Sequence, residues 1–486
     1  MKDWLSISAS ANPNALALLY EGKAWRYHEL DRDGNTLCGG LLAHGIQRGQ
    51  HIAVLMPNSA DTVLLIHALI RLGAVLVPLN TRLTADELSY QVNAADCNCL
   101  IYDAAYSEKV QPLDIRKLAF DEIVSGDQAV ETREIDLDVT HAILFTSGTT
   151  GHPKGVVLTY ANHFYGATAS AFRIGTLPED RWLCCLPLYH VGGLNILMRC
   201  CLYGTAVVLH NGFDVEKVRQ SLEQDQVTLA SLVPTQLFRL MGAIESSTAP
   251  LSHHLRLILL GGAAATPELV TRSQVLGIPI ATTFGMTETD SQVSTQTPDA
   301  TRHKPGSVGR ALLFSIIRIV DEHSKPLEPG QIGEIVVSGP TVMREYYRNQ
   351  QATQKALQNG WLHTGDLGYF DADGDLWIVQ RRSDLIVSGG ENVYPAEVES
   401  VLRQHPAVEE VCVIGLPDAE WGQRVAAAVV LKPDTADTPL NQDTLIAFVR
   451  EHLAGYKVPR IIRFVDALPL TASGKIERKS VPVLFE

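Results

Sequence analysis

No stretch of this 486-residue chain reaches the roughly eighteen consecutive apolar residues that a membrane-crossing helix needs, although 46% of its residues are hydrophobic. The start, Met1-Lys2-Asp3-Trp4, lacks a basic segment leading into an apolar one, so neither an export signal nor a membrane span is expected and a cytoplasmic location is. Basic charge is not in excess either: 40 lysines and arginines stand against 54 aspartates and glutamates, a formal charge of -14. Docking on a nucleic-acid backbone or an anionic membrane is therefore not expected, and any bound phosphate must be held by a local group of donors. The cysteines at 38, 97, 99, 184, 185, 200, 201 and 412 include no Cys-x-x-Cys pair, the usual zinc or dithiol signature. Cys184, Cys185, Cys200 and Cys201 lie in apolar surroundings and read as small buried hydrophobes in a reducing compartment. Internal repeats and low-complexity tracts are also missing.

What is present is an alternation. Helix-like stretches from Tyr27 to Gly45 and from Ala60 to Gly73 interleave with strand candidates at His51 to Met56 and Ala74 to Val77. The rhythm resumes at Arg181 to Leu186, Thr205 to His210 and Leu255 to Gly261, predicting an α/β body with a largely parallel sheet. Near Gly309 the texture shifts to short β segments at Ser315 to Asp321, Gly333 to Ser338 and Asp375 to Gln380, separated by Pro-Gly and Asp-Gly turns. Asp371-Ala-Asp-Gly-Asp375 is read as a hairpin turn, because its glycine stands fourth and no glutamate follows at the twelfth place of a calcium loop. A chain of this length exceeds one core. The expected fold class is α/β: a large N-terminal domain over 1–380 with a β-rich subdomain over about 309–380, a hinge at 381–385, and a small α+β C-terminal domain over 386–486. In the last, helices are predicted at Ala396 to Leu402 and Leu445 to Leu453, and a strand at Val408 to Gly415.

The most informative stretch is Phe145-Thr-Ser-Gly-Thr-Thr-Gly-His-Pro-Lys-Gly155, directly after the apolar strand candidate Ala142 to Phe145. Its hydroxyls, glycines and lysine suit a loop whose main-chain N–H groups converge on a polyphosphate. It is not a Walker A motif, since the glycines are too close and neither Ser nor Thr follows Lys154.

The full string resembles the phosphate loop of the adenylate-forming superfamily, which comprises acyl-CoA synthetases, adenylation domains and firefly-type luciferases. Six further segments similar to that superfamily's motifs follow in the same order: Leu186-Pro-Leu-Tyr-His-Val-Gly-Gly193, Leu260-Gly-Gly-Ala-Ala264, Phe284-Gly-Met-Thr-Glu288, Thr364-Gly-Asp-Leu-Gly368 with Arg381, Ser388-Gly-Gly-Glu-Asn-Val-Tyr-Pro-Ala-Glu-Val-Glu399, and Thr471-Ala-Ser-Gly-Lys475. The resemblance implies an ATP-dependent ligase that forms an acyl-adenylate and passes the acyl group to coenzyme A. It implies that Thr146, Ser147, Gly148, Thr149, Thr150, Gly151 and Lys154 hold phosphates. Glu288 would anchor Mg²⁺ and Thr287 would donate to the α-phosphate. Adenine would meet Gly262, Ala263, Ala264 and the face of Phe284, and the ribose would meet Asp366 and Arg381. Lys475 would bridge carboxylate and α-phosphate, and His190 would contact the acid. The C-terminal domain would then rotate about Ser383, where the family usually has Asp or Lys, and Gly389 and Gly390 would let pantetheine pass.

Within the superfamily the chain is most similar to the o-succinylbenzoate-CoA ligase branch of menaquinone and phylloquinone synthesis, through Asp180-Arg-Trp-Leu183, Met286-Thr-Glu-Thr289 with Ser291-Gln292, and Arg381-Arg-Ser-Asp-Leu-Ile386. That implies an acyl pocket including Gly261, Gly285, Thr289 and Ser291, and a second substrate carboxylate for which Arg199, Asn195, Thr289 and Ser291 are candidates. Taken alone, Arg199 reads as a helix-surface charge. The alternatives are a CoA ligase for another aryl or medium-chain acid and a catalytically silent nucleotide-binding module. A homo-oligomer is compatible with everything above.

Overall fold

A computed structural model describes residues 3–123, 134–146, 153–246, 252–263, 265–380, 385–432, 440–469 and 476–486. The chain forms two compact units. One comprises Met1–Thr81, Val92–Leu144 and Gly155–Arg381, and the other Arg82–Gln91, Phe145–Lys154 and Arg382–Glu486. The second unit thus takes in two earlier segments as well as the predicted C-terminal domain. The hinge residues 381–384 fall outside the described residues.

The alternating apolar runs become parallel strands, as the rhythm predicts. Val75–Pro78, Ala206–Leu209, Leu229–Leu232 and Leu257–Leu260 are buried at every position, the pattern of strands covered on both faces. The helix Ala60–Leu72 starts where Ser59 accepts a hydrogen bond from the Thr62 backbone N–H at 3.2 Å and ends at Gly73, whose φ of 75° few other residues adopt cheaply. The smaller sheet of this body has seven strands and includes Thr140–Thr146 and Lys154–Thr159, which bracket the predicted phosphate loop.

The larger sheet has fourteen strands and changes character at one of them. Ile280–Met286 pairs in parallel with Leu257–Leu260 on one side and antiparallel with Ser291–Thr295 on the other. Beyond that strand the sheet is antiparallel through Ser307–Ala311, Leu376–Gln380, Trp361–Phe370, Gly333–Ser338 and Ile316–Val320. The predicted β-rich subdomain is therefore a continuation of the parallel sheet, and its antiparallel pairing begins at Ser291, not near Gly309. The sequence hid this because Ser291–Thr295 reads SQVST, with little apolar alternation.

Asp371, Asp373 and Asp375 form the predicted hairpin turn, Asp371 N–H donating to the Asp375 carbonyl at 3.0 Å. All three carboxylates converge on Lys304 Nζ at 2.6 to 2.7 Å, so a protein ammonium occupies their centre. In the second unit, Ile386–Ser388, Glu391–Val393, Val408–Asp418, Gly422–Leu431 and Ile461–Phe464 make a five-stranded sheet. The helices Pro395–Leu402 and Gln442–His452 contribute Val398, Leu402, Leu445 and Val449 to its core. Lys457 is buried within this unit between Glu87 at 2.7 Å and Glu397 at 2.8 Å. No helix among the described residues is long and apolar enough to cross a membrane.

Inside the helix Ala60–Leu72, burial pushes the His67 imidazole down to about 4, with Asp3 and Asp31 opposing and Arg71 adding to the shift. A group whose folded value lies below its unfolded value of 6.5 favours the fold above pH 6.5 and loses that contribution as pH falls through 4. Thermal melts between pH 7 and pH 4 should therefore fall less steeply for His67→Gln than for the parent, by on the order of 3 kcal/mol at pH 4. Parallel melting curves would contradict this reading.

Candidate active site

The elements that meet around the change of sheet character carry most of the described site residues. His190 is the N-cap of the helix Val191–Tyr203, its carbonyl accepting from Gly193 and Leu194 at 3.1 and 3.0 Å. The imidazole is half-buried and meets Tyr189 edge-on, ring centroids 4.7 Å apart. A histidine here stands where the first backbone N–H groups and the helix dipole favour an anion. The glycine after next is required by packing, since a Cβ on Gly193 would lie 2.2 Å from the Pro187 carbonyl oxygen.

Glu288 lies in the short turn Thr287–Thr289 between Ile280–Met286 and Ser291–Thr295. It is 4% exposed, and Tyr346 Oη donates to its Oε1 at 2.7 Å while Met343 N–H donates to its carbonyl at 2.8 Å. Among the described residues no basic side chain pairs with it. A buried carboxylate held by one neutral donor suits a hard cation that takes one protein oxygen and completes its shell with phosphates and water. Sequence reasoning missed Tyr346. The signal was faint, one tyrosine in Arg344-Glu-Tyr-Tyr347, and only the pairing of Tyr346 with Val156 brings it to Glu288.

The glycines of the motifs mark close approaches. A Cβ on Gly285 would sit 1.4 Å from the Ser291 carbonyl oxygen, and one on Gly261 2.7 Å from Thr283 Cγ2. Gly262 has a φ of 78° and is exposed, with Ala263 half-buried beside it. Asp366, on Trp361–Phe370, is buried and follows Gly365, whose φ is 76°. Thr146 closes its strand and Lys154 opens the next, both half-buried. Ser147, Gly148, Thr149, Thr150, Gly151, Ala264, Arg381, Ser383 and Lys475 lie outside the described residues.

Four expectations change. Phe284 is 2% exposed and packs with Val293, Ile317, Ile335 and Leu376, so its ring belongs to the hydrophobic core and presents no face to adenine. Asn195 is fully engaged: its Oδ1 lies 2.9 Å from His163 Nδ1, and its Nδ2 donates to Asp290 O and Oδ1 at 2.9 and 3.0 Å. Thr289 is buried and its hydroxyl serves the turn, accepting from Met286 N–H at 3.0 Å and donating to Met286 and Ser291 carbonyls. Arg199 is not a surface charge. It is 2% exposed, its Nε has no hydrogen-bond partner, and its guanidinium lies 5.6 Å from the Trp182 ring centroid. In the second unit, Gly389 and Gly390 have φ of 60° and 86°, and a Cβ on Gly389 would lie 2.7 Å from the Trp421 ring. Gly389 is thus required by a tight turn packed under an indole, whatever passes beside it.

These segments, in this order on this fold, agree with two family models. Residues 5–347 match the AMP-binding enzyme model and residues 397–475 the AMP-binding enzyme C-terminal domain. The chain belongs to the AMP-binding enzyme family. Among similar members of this family is the 2-succinylbenzoate--CoA ligase of Bacillus cereus strain Q1, 40% identical over 488 residues, covering 100% of this chain and 99% of the relative. The Bacillus licheniformis ligase of the same name is 40% identical over 479 residues, with 98% of each chain covered. Among solved AMP-binding structures, a double mutant of Bacillus subtilis o-succinylbenzoate CoA synthetase bound with a product analogue superposes with a TM-score of 0.93 at 38% identity, covering 99% of this chain and 98% of that one. The same enzyme in complex with ATP and a magnesium ion gives 0.76 at 38% identity, covering 99% of each chain.

The hydrogen bond from Tyr346 to a buried, charged acceptor is of the kind whose loss removes roughly 1.5 kcal/mol or more. Tyr346→Phe should slow ATP–pyrophosphate exchange roughly 10-fold, with melting temperature little changed. An unaltered exchange rate would show that Glu288 does not depend on this contact.

Proposed function

We propose that this protein ligates o-succinylbenzoate to coenzyme A with ATP, forming an acyl-adenylate and then the thioester. The observation that carries the choice of acid is the buried cation. Burial lowers the basicity of Arg199, with Tyr203 and Asp290 opposing, and no carboxylate among the described residues forms an ion pair with it. A buried charge without a partner is strongly unfavourable, so the site is completed when a ligand anion arrives. Arg199 stands one turn after Asn195, on the helix face that looks toward Asp290. Ser291, half-buried, follows in that loop. On this reading the pair takes the substrate's second carboxylate, which a simple benzoate or fatty acid lacks.

In the first step a carboxylate oxygen of the acid attacks the α-phosphorus of ATP, and the bond to the bridging oxygen of pyrophosphate breaks. His190, at the helix N-terminus, orients the reacting carboxylate. Thr287 and, by resemblance, Lys475 supply donors to the α-phosphate, where fixed dipoles aimed at developing charge are most effective. Glu288 and its Tyr346 partner form the protein's share of a magnesium site, and the metal when bound neutralises charge on the leaving pyrophosphate. In the second step the coenzyme A sulfur attacks the acyl carbon and AMP departs. Asp366 and Arg381 hold the ribose throughout. A cytoplasmic location accords with this reading, as all eight cysteines are free thiols.

Thioester formation over a panel of acids tests the assignment. o-Succinylbenzoate should turn over and benzoate and medium-chain fatty acids should not; the reverse would overturn it. Arg199→Met should raise KM for o-succinylbenzoate roughly 10- to 100-fold, leave KM for ATP unchanged, and hold or raise the melting temperature, because an unpaired buried charge has been removed.

A further inference from the structure

Behind the turn that carries Glu288 lies a buried polar knot that the reaction steps above do not use. His163, on the helix Tyr160–Ile174, is fully buried and places Nδ1 2.9 Å from Asp290 Oδ1 and 2.9 Å from Asn195 Oδ1. Its Nε2 lies 2.8 Å from His141 Nδ1. Asn195 closes the ring by donating to both the carbonyl and the carboxylate of Asp290. Two helices, Tyr160–Ile174 and Val191–Tyr203, thus converge on one aspartate, and the strand Thr140–Thr146 backs His163 through His141.

That aspartate needs gripping. Asp290 has φ 50° and ψ 45°, and Ser291 follows at φ 87°, two successive non-glycine residues in the left-handed region. Such conformations are unfavourable by roughly 1 to 3 kcal/mol each and persist only when the surroundings fix them. Asp290 N–H bonds to the Thr287 carbonyl at 3.1 Å, so its backbone determines how the Thr287–Thr289 turn, and Glu288 within it, is presented. Burial alone would lower His163, but the charge of Asp290 and the hydrogen bonds the imidazole donates to Asp290 and Asn195 outweigh it and raise the imidazole above its ordinary value. His141 is driven well below its own by burial and by His163, so it serves as the neutral acceptor for the His163 Nε2–H.

We propose that His163, together with Asn195, is a positioning residue for adenylation: by gripping Asp290 it holds the left-handed turn that sets the Glu288 carboxylate for magnesium. The inference rests on the reading of Glu288 as the metal carboxylate. It assigns a duty to residues outside every motif segment except Asn195's helix, and it separates the two half-reactions, since the metal serves the step that expels pyrophosphate and not the attack of the thiol.

Two variants disturb the knot in different ways. His163→Gln removes the cation and one donor. Gly166→Ala removes nothing, but its Cβ would stand 3.0 Å from Asp290 Oδ2 and press on the carboxylate from the same helix, where alanine favours the helical state. Both should raise the Mg²⁺ concentration for half-maximal ATP–pyrophosphate exchange and lower its rate roughly 10- to 100-fold, the scale of a displacement near 1 Å. Thioester formation from supplied o-succinylbenzoyl-adenylate should stay within about threefold of the parent. Manganese binding with a non-hydrolysable ATP analogue, followed by electron paramagnetic resonance, should weaken in parallel, and Gly166→Ala should melt no lower than the parent. Equal loss of both half-reactions, or an unmoved metal requirement in both variants, would overturn the proposal. Absence of metal-dependent exchange in the parent itself would instead reject the reading of Glu288.

Discussion

The turn between Ile280–Met286 and Ser291–Thr295 is the constraint on which the site depends. A parallel sheet ends there and an antiparallel one begins, so the chain must reverse within four residues while keeping both strands paired. Gly285 lets the returning Ser291 carbonyl pass at a distance no side chain tolerates, and Asp290 and Ser291 supply the left-handed curvature. Aspartate tolerates that conformation better than most residues, and serine does not adopt it readily. Buried hydrogen bonds from two separate helices hold it. The reversal presents Glu288 from one side of the sheet junction, while the helix opened by His190 delivers Asn195 to the same aspartate.

Electrostatics follow from this placement. Arg199 and His163 contribute positive charge to a region where Asp290 is the neighbouring buried anion. His163 and Asp290 satisfy each other, and Arg199 is left as a surplus. A site with one unbalanced buried cation selects for a ligand with an anionic group beyond the one that reacts. On the proposed reading, the same region would serve both the nucleotide chemistry and the choice of a dicarboxylate.

Much of this was legible in the sequence. Runs rich in Val, Leu and Ile ending at Gly or Pro became buried parallel strands at Leu257–Leu260 and Ala206–Leu209, because fully covered strands need no polar alternation. The motif order drew attention to His190 at a helix N-cap, Glu288 in a turn between two strands and Asp366 on a strand, since loop residues at strand ends carry little packing information and stand out. Side-chain direction was not legible. Phe284 sits in a motif yet faces the core, Asn195 is engaged by a histidine 32 positions earlier, and Arg199 is buried on a helix whose composition gave no sign of it. Tyr346 and His163 act through contacts across 58 and 127 positions of sequence, and such pairings arise only once strand order is fixed.

The central claim is that AMP becomes a temporary carrier of the acid before any thiol is needed. Incubation of the protein with ATP, Mg²⁺, o-succinylbenzoate and labelled pyrophosphate, without coenzyme A, tests it most directly. Label should appear in ATP only when the acid is present. Exchange that requires coenzyme A, or release of ADP and orthophosphate in place of AMP and pyrophosphate, would contradict it.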